Sequence, residues 1–322
     1  MGANMLRSFF IQISKVKWAQ RTISRNKLAW RVASRFVAGE TLADAVQVVR
    51  DLNGRGIKAS LDHLGENTAS REDATRATED ILAAINQISQ VGIQSNVSIK
   101  LTQVGLLLDE ELARQNLARI LESARETHNF VRFDMEDSSC VDKTLALHSW
   151  ARQAGFNDVG VVIQAYLYRS EQDIQALSQL SGKVRLCKGA YQESPQLAFP
   201  LKKEVDQNYD HLLDQMMEGI QQTGGLPGRG GQIPPGLAIA THDPARIAHA
   251  IQTANRLGVS PETFEFQMLY GIRRDLQDQL VAQGYAVRVY VPYGTHWYPY
   301  FMRRLAERPA NVWFFVTNFF RH

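Results

Sequence analysis

Short apolar runs rich in β-branched residues alternate with longer polar stretches along most of the chain. Eight such runs follow one another, at 57–62, 96–101, 130–136, 160–166, 184–188, 237–241, 263–268 and 286–291. Several are almost continuously apolar, the pattern of parallel strands buried on both faces. Between them, 73–91, 109–127, 142–154, 171–180, 244–257 and 273–283 have helical periodicity and plausible acidic caps at their starts. Strand then helix, repeated eight times, predicts a closed parallel (β/α)8 barrel of the TIM type, an α/β fold. The chain before the first run reads as helical, which divides it into a helical arm over 1–56 and a single barrel domain over 57–322. The fifth connection, 191–236, is unusually long. It holds a helical pattern at 204–221 and then a glycine-rich stretch, 224–231. That stretch follows a helix and opens none, so it fails the dinucleotide-loop pattern and reads as a flexible connection.

Composition narrows the picture. With 322 residues and 44% hydrophobic positions, the chain can bury a core that needs no disulfide or structural metal. Its two cysteines, Cys140 and Cys187, form no disulfide framework and suit a reducing compartment. A net charge of +3 gives no reason to expect nucleic acid as a partner. No apolar run approaches the roughly 20 residues needed to span a bilayer, and the expected location is cytoplasmic. Charge is nevertheless uneven. Residues 1–39 contain Arg7, Lys15, Lys17, Arg21, Arg25, Lys27, Arg31 and Arg35 and no acid, with Leu6, Phe9, Phe10, Ile13, Val16 and Trp18 interleaved. This segment reads either as a packed arm with a solvated basic face or as an interfacial segment on anionic lipid at the inner face of the membrane. The aromatic cluster Trp313-Phe314-Phe315-Val316 with Phe319-Phe320 reads as a last packing segment or a second membrane or partner contact.

In such barrels the chemistry sits at the C-terminal strand ends. Here those ends carry Asp62-His63, Lys100, Asp134, Glu136, Gln164, Arg185, Lys188, Thr241-His242-Asp243, Glu265, Gln267, Arg288 and Tyr290. Polar side chains are costly to bury without partners, so their recurrence on nearly every strand predicts one convergent polar pocket. Lys100 and Asp134 fall on adjacent strands, where an ion pair is expected. A strand lysine, Lys100 or Lys188, is also what a Schiff-base lyase would use. A third reading, a membrane-associated binding protein built on the basic arm, needs no chemistry at the strand ends. Past the eighth run, Tyr300, Arg303, Arg304 and Glu307 recur at helical spacing. Two adjacent arginines there suit a carboxylate clamp.

Several motifs resemble the proline dehydrogenase family in its single-function bacterial form. They are Ser98-Ile99-Lys100-Leu101, Arg132-Phe133-Asp134-Met135-Glu136, Gln164-Ala165-Tyr166, 184–191 (VRLCKGAY), Ala240-Thr241-His242-Asp243, Phe264-Glu265-Phe266-Gln267, 290–296 (YVPYGTH) and 300–307. The resemblance implies a distorted barrel with its final helix above the mouth, noncovalent FAD, and oxidation of L-proline to Δ1-pyrroline-5-carboxylate. It implies electrons passed to membrane quinone and, for a chain of this length, a separate pyrroline-5-carboxylate dehydrogenase.

By the same resemblance Arg303, Arg304 and Lys100 hold the proline carboxylate, and Asp134 pairs with Lys100. Tyr290 and Tyr300 cover the substrate ring, with Leu186 as an apolar contact. Arg185 lies near the flavin N5, and Asp134 and Arg185 are the catalytic residues. Met135, Gln164, Lys188, Gly189 and Ala190 contact the flavin and its phosphates, and Thr241 and His242 reach the ribityl–phosphate region. Glu307 braces the arginine pair, and Cys187 points away from the site. The short aromatic stretch around Trp297 and Tyr298 departs from the family pattern and bears on how the final helix closes.

Overall fold

Eight parallel strands close on themselves in chain order: β1 (Lys58–His63), β2 (Ser95–Lys100), β3 (Val131–Asp134), β4 (Val159–Gln164), β5 (Lys183–Cys187), β6 (Leu237–Ala240), β7 (Phe264–Leu269) and β8 (Val287–Tyr293). The computed structural model describes residues 27–66, 68–179 and 182–307. Each strand lies within two or three residues of its sequence-based position. β1 pairs with both β2 and β8, in registers that place Asp62 beside Ser98 and beside Pro292. The barrel expected from the sequence is therefore present.

The helices are α1 (Lys27–Ala33), α2 (Leu42–Gly54), α3 (Arg71–Val91), α4 (Glu110–Glu126), α5 (Val141–Gln153), α6 (Ser170–Gln179), α7 (Lys202–Thr223), α8 (Pro244–Leu257), α9 (Arg274–Ala282) and α10 (Trp297–Glu307). Side chains satisfy the free N–H groups at several helix starts: Thr41 for α2, Ser70 for α3, Asp109 for α4 and Asp243 for α8, the last followed by Pro244. Glycines in the left-handed conformation end α3 (Gly92), α7 (Gly224) and α8 (Gly258).

Alternation along each strand sends one set of side chains to the helix layer and the other into the barrel. The outward set, with Leu61, Ile99, Phe133, Ile163, Leu186, Ile239, Phe266 and Val289, forms the main core against the helices. Helix α2 belongs to this core through Ala45, Val46, Val49 and Leu52. A smaller core joins α1 to α10 through Ala29, Ala33, Val37, Trp297, Tyr298 and Phe301. Trp297 and Tyr298 are fully buried there, the Trp297 ring lying 5.4 Å from that of Trp30 at a tilt of 58° and donating its indole N–H to Glu40. This aromatic stretch thus anchors the final helix to the arm. Residues 1–26 and the aromatic cluster at 313–320 lie outside the described residues.

The glycine-rich segment is not a flexible connection. It closes the barrel at the end opposite the mouth. Arg229 and Ile233 exchange both backbone hydrogen bonds, and the backbone carbonyls of Gly231, Gln232 and Pro234 accept from Arg288, Asn96 and Lys183. Glycine serves here because Gly230 and Gly231 take φ of 60° and 83°.

Candidate active site

The inward side chains at the upper strand ends meet in a cavity of about 540 Å³. Its wall includes Lys100 from β2, Asp134 and Met135 from the β3 end, Gln164 from β4, Arg185 and Cys187 from β5, Gln267 and Leu269 from β7, and Tyr290 from β8. The turn Lys188-Gly189-Ala190-Tyr191, the β6 end Thr241-His242-Asp243, and Tyr300, Arg303 and Arg304 of α10 complete it. Of the residues that the family resemblance assigns to substrate, flavin or catalysis, all but Leu186 line this cavity, whereas the strand-end residues Asp62, His63, Glu136, Glu265 and Arg288 do not.

Leu186 is fully buried and stands between Arg185 and Cys187, both of which line the cavity. Alternation turns it to the helix layer, so it makes no substrate contact from this wall. The same alternation corrects the expectation for Cys187, which faces the cavity. Burial pushes its thiol up to about 12, so it stays protonated near neutral pH. Glu265 and Arg288 also move. Each is the second residue of its strand and belongs to the closed end, where Arg288 donates to both oxygens of Glu265, to Ala59 O and to Gly231 O.

The expected Lys100–Asp134 pair is present but secondary. Lys100 Nζ lies 3.1 Å from both oxygens of Asp62 and 3.8 Å from Asp134. Burial lowers the pKa of this amine, but Asp62, then Asp134 and Glu66, outweigh it and raise it above the ordinary lysine value. A lysine held charged in this way is no Schiff-base nucleophile. Lys188 is likewise held by the carboxylates of Asp206 and Asp243. Burial raises Asp62 in turn, opposed by Lys100.

Asp134 is the junction of the site. One oxygen accepts from Arg185 Nη1 at 2.8 Å and the other from Tyr290 Oη at 2.6 Å. Arg185 also donates to Ser98 Oγ at 3.0 Å and to Gln267 Oε1 at 2.5 Å, and its guanidinium lies 5.4 Å from the Tyr290 ring centre. Glu136, two residues beyond, accepts from the backbone N–H and hydroxyl of Thr102, and burial pushes its carboxyl up to about 7.

Over the mouth, Arg303 forms a forked pair with Glu66 from the loop after β1. Burial pushes Glu66 up, but Arg303 and then Lys100 bring it below the usual carboxylate range. Glu66 thus braces Arg303; the Glu307 side chain, expected in that role, lies outside the described residues. Arg304 lies over the Tyr300 ring at 5.2 Å. Sequence reasoning did not single out Glu66 or Tyr191. Glu66 sits in a loop with no periodic signal, and Tyr191 closes a motif whose polar members drew the attention.

The cavity also fits an elongated, phosphate-bearing group. Lys202 is shared with a neighbouring cavity of about 450 Å³ between the starts of α7 and α8, lined further by Lys203, Asp206, Gln207, Asp210 and Arg246. The cations Lys188, Lys202, Lys203 and Arg246 lie along this path beside the start of α8, with Lys188, Lys202 and Arg246 paired to Asp206, Asp210 or Asp243. Gly189, with φ of 112°, keeps the turn open, since a Cβ there would collide with the Tyr166 ring.

Comparison with known proteins agrees with this geometry. The family model described as proline dehydrogenase matches residues 45–316. The chain is 41% identical to proline dehydrogenase 1 of Bacillus subtilis, over 98% of this chain and 99% of that one. It is 42% identical to the proline dehydrogenase of Deinococcus radiodurans, over 92% of each. Among solved structures, proline utilization A (PutA) from Bdellovibrio bacteriovorus inactivated by N-propargylglycine superposes with a TM-score of 0.78 and 26% identity. That match covers 87% of this chain and 33% of the larger protein. Its barrel, the convergence of the strand-end motifs and its near full-length relatives together place this chain in the proline dehydrogenase family, as an oxidoreductase of that kind.

Proposed function

We propose that the cavity holds noncovalent FAD and oxidises L-proline to Δ1-pyrroline-5-carboxylate. The observation that carries this reading is the convergence of Lys100, Arg303 and Arg304 with Arg185, Tyr290 and Tyr300 on one cavity that continues to the start of α8. FAD, when bound, supplies an acceptor for the hydride at its N5. Met135, Gln164, Arg185, Lys188, Gly189, Ala190, Thr241 and His242 would hold it.

The chain's own residues do the positioning. Arg303 and Arg304 are permanently charged and suit two-point recognition of the proline carboxylate, with the Lys100 ammonium as a third cation. Glu66 pairs with Arg303, so the proline carboxylate would share or compete for that guanidinium. Tyr290 and Tyr300 provide flat apolar surface for the ring. Asp134 fixes Arg185 and Tyr290 at once, and so sets the wall that the reacting carbon faces. Closure of α10 over the mouth excludes water from the reacting atoms.

Downstream, we assign electron delivery to membrane quinone and release of product to a separate pyrroline-5-carboxylate dehydrogenase. The E. coli relative, a bifunctional PutA, matches 88% of this chain with 24% of its own length. No helix among the described residues is long and apolar enough to cross a membrane. The basic segment 1–39 is the proposed peripheral contact with the inner face of the membrane. Co-sedimentation with anionic vesicles, lost on its deletion, tests that assignment.

The function is tested by incubating the FAD-loaded protein with L-proline and an artificial electron acceptor. The cyclic imine product is trapped with o-aminobenzaldehyde. Proline-dependent adduct supports the reading; its absence with active acceptor and bound flavin overturns it. N-propargylglycine should inactivate this chain as it does the Bdellovibrio relative.

A further inference from the structure

We infer that Gln267 is a positioning residue for Arg185, seated in turn by the Glu265–Arg288 ion pair, so that a charge at the closed end of the barrel acts on the reacting end. The inference rests on the flavin reading above.

The chain of contacts is continuous and buried. Arg288 is fixed by Ala59 O at 2.7 Å and by Gly231 O of the closing segment at 3.0 Å. It donates to Glu265 at 2.7 and 3.2 Å. Gln267 Nε2 donates to Glu265 Oε1 at 2.6 Å, and Gln267 Oε1 accepts from Arg185 Nε at 2.5 Å. Glu265 and Arg288 are 0% exposed, Gln267 5% and Arg185 7%.

A carboxylate only accepts and a guanidinium only donates, so an amide wedged between them fits one way round. Its oxygen must face Arg185 and its nitrogen Glu265. Burial would push Glu265 up, but Arg288 holds it below the usual carboxylate range, which keeps it an acceptor. Asp134 and Ser98 hold the other two nitrogens of Arg185. Asp134 is shared with Tyr290 on the substrate wall and is exposed to whatever binds there. The Gln267 side is tied through Glu265 and Arg288 to the plugged end. Three anchors on three nitrogens define the guanidinium plane, and Gln267 is the one that links it to the closed end of the barrel.

The test uses FAD-loaded wild type, Gln267→Met, Glu265→Gln and the double exchange Glu265→Gln/Gln267→Glu. The exchange conserves net charge and volume and moves the carboxylate from Arg288 to Arg185, at the loss of one hydrogen bond, because the atom replacing Glu265 Oε1 cannot both donate to position 267 and accept from Arg288 Nε. Midpoint potential, kcat, KM for proline and melting temperature are measured for each. Gln267→Met should lower kcat by about tenfold or more, the scale of a misplaced positioning group, with KM for proline changed less than about twofold. The exchange should melt above Glu265→Gln alone. Its midpoint potential should fall by about 30 mV or more, a tenfold shift in the reduced-to-oxidised ratio of a two-electron couple. An unmoved potential in the flavin-loaded exchange variant overturns the inference, even where Gln267→Met fails to fold. A wild-type protein that takes up no flavin would instead sink the functional reading beneath it.

Discussion

Replacing Lys100 by Met removes the cation that Asp62 depends on. The Lys100 and Asp62 side chains are 9% and 0% exposed, with the ammonium 3.1 Å from both carboxylate oxygens. Coulomb attraction at that distance is worth about 5 kcal/mol at an effective dielectric constant of about 20, before desolvation is subtracted. Orphaning a buried charge costs about 3–5 kcal/mol, and that is the loss expected for Lys100→Met near neutral pH. The double variant Lys100→Met/Asp62→Asn leaves no orphan and should be more stable than Lys100→Met by about 2 kcal/mol, despite carrying the extra substitution. pH adds a sign test. Without Lys100, burial and the Asp134 charge raise the Asp62 carboxyl further above its unfolded value. A raised folded pKa means stability lost as pH rises, so the deficit of Lys100→Met should shrink toward acid. Urea unfolding of the three proteins near pH 7 and near pH 5 measures all of this. A Lys100→Met protein within about 1 kcal/mol of wild type, or a double variant less stable than the single one, would refute the pairing.

Other consequences can be checked alongside. Arg303→Met and Arg304→Met should each raise KM for proline roughly ten- to hundredfold, the worth of a charged hydrogen bond, in steady-state kinetics. Gly189→Ala forces a Cβ into the Tyr166 ring at a φ of 112° and should cost about 1–3 kcal/mol in thermal unfolding, with weakened FAD retention. Two buried groups should mask each other's pH dependence. Burial, with help from Arg152 and Arg132, brings His148 down to about 4, so it adds stability as pH rises from about 4 to about 6.5. Burial raises Glu136 to about 7, so it removes stability as pH rises from about 4.5 to about 7. Each contributes about 3 kcal/mol at most. Glu136→Gln should expose the rising limb and His148→Leu the falling one, in denaturant midpoints across that range; unchanged profiles in both would count against these assignments.

Much of this molecule was legible in advance because a buried parallel strand is nearly all apolar, so its few polar residues stand out. Lys100, Asp134, Gln164, Arg185, Gln267 and Tyr290 were visible for that reason, and all line one cavity. What failed was assignment along and around the strand. Glu265 and Arg288 are as polar as Gln267 and Tyr290, but they sit two residues earlier and so at the closed end. Leu186 and Cys187 were assigned to the wrong faces, although alternation from Arg185 carries the right answer. The choice of Asp62 over Asp134 for Lys100 depends on side-chain reach across two neighbouring strands, which spacing does not encode. Glu66 reaches Arg303 across 237 residues, from a loop whose sequence has no periodic cue. The closing role of the glycine-rich segment rests on backbone carbonyls, which any sequence offers.

The proposed flavin site, enclosed by these strand ends and α10 beside a proline-sized space, is open to direct observation. An anaerobic titration of the purified, FAD-loaded protein with L-proline, followed by its visible spectrum, tests this most directly. Stepwise bleaching of the flavin by proline is expected, lost in Arg303→Met at the same proline concentration. A protein that takes up no FAD, or one whose flavin stays oxidised at saturating proline, would contradict it.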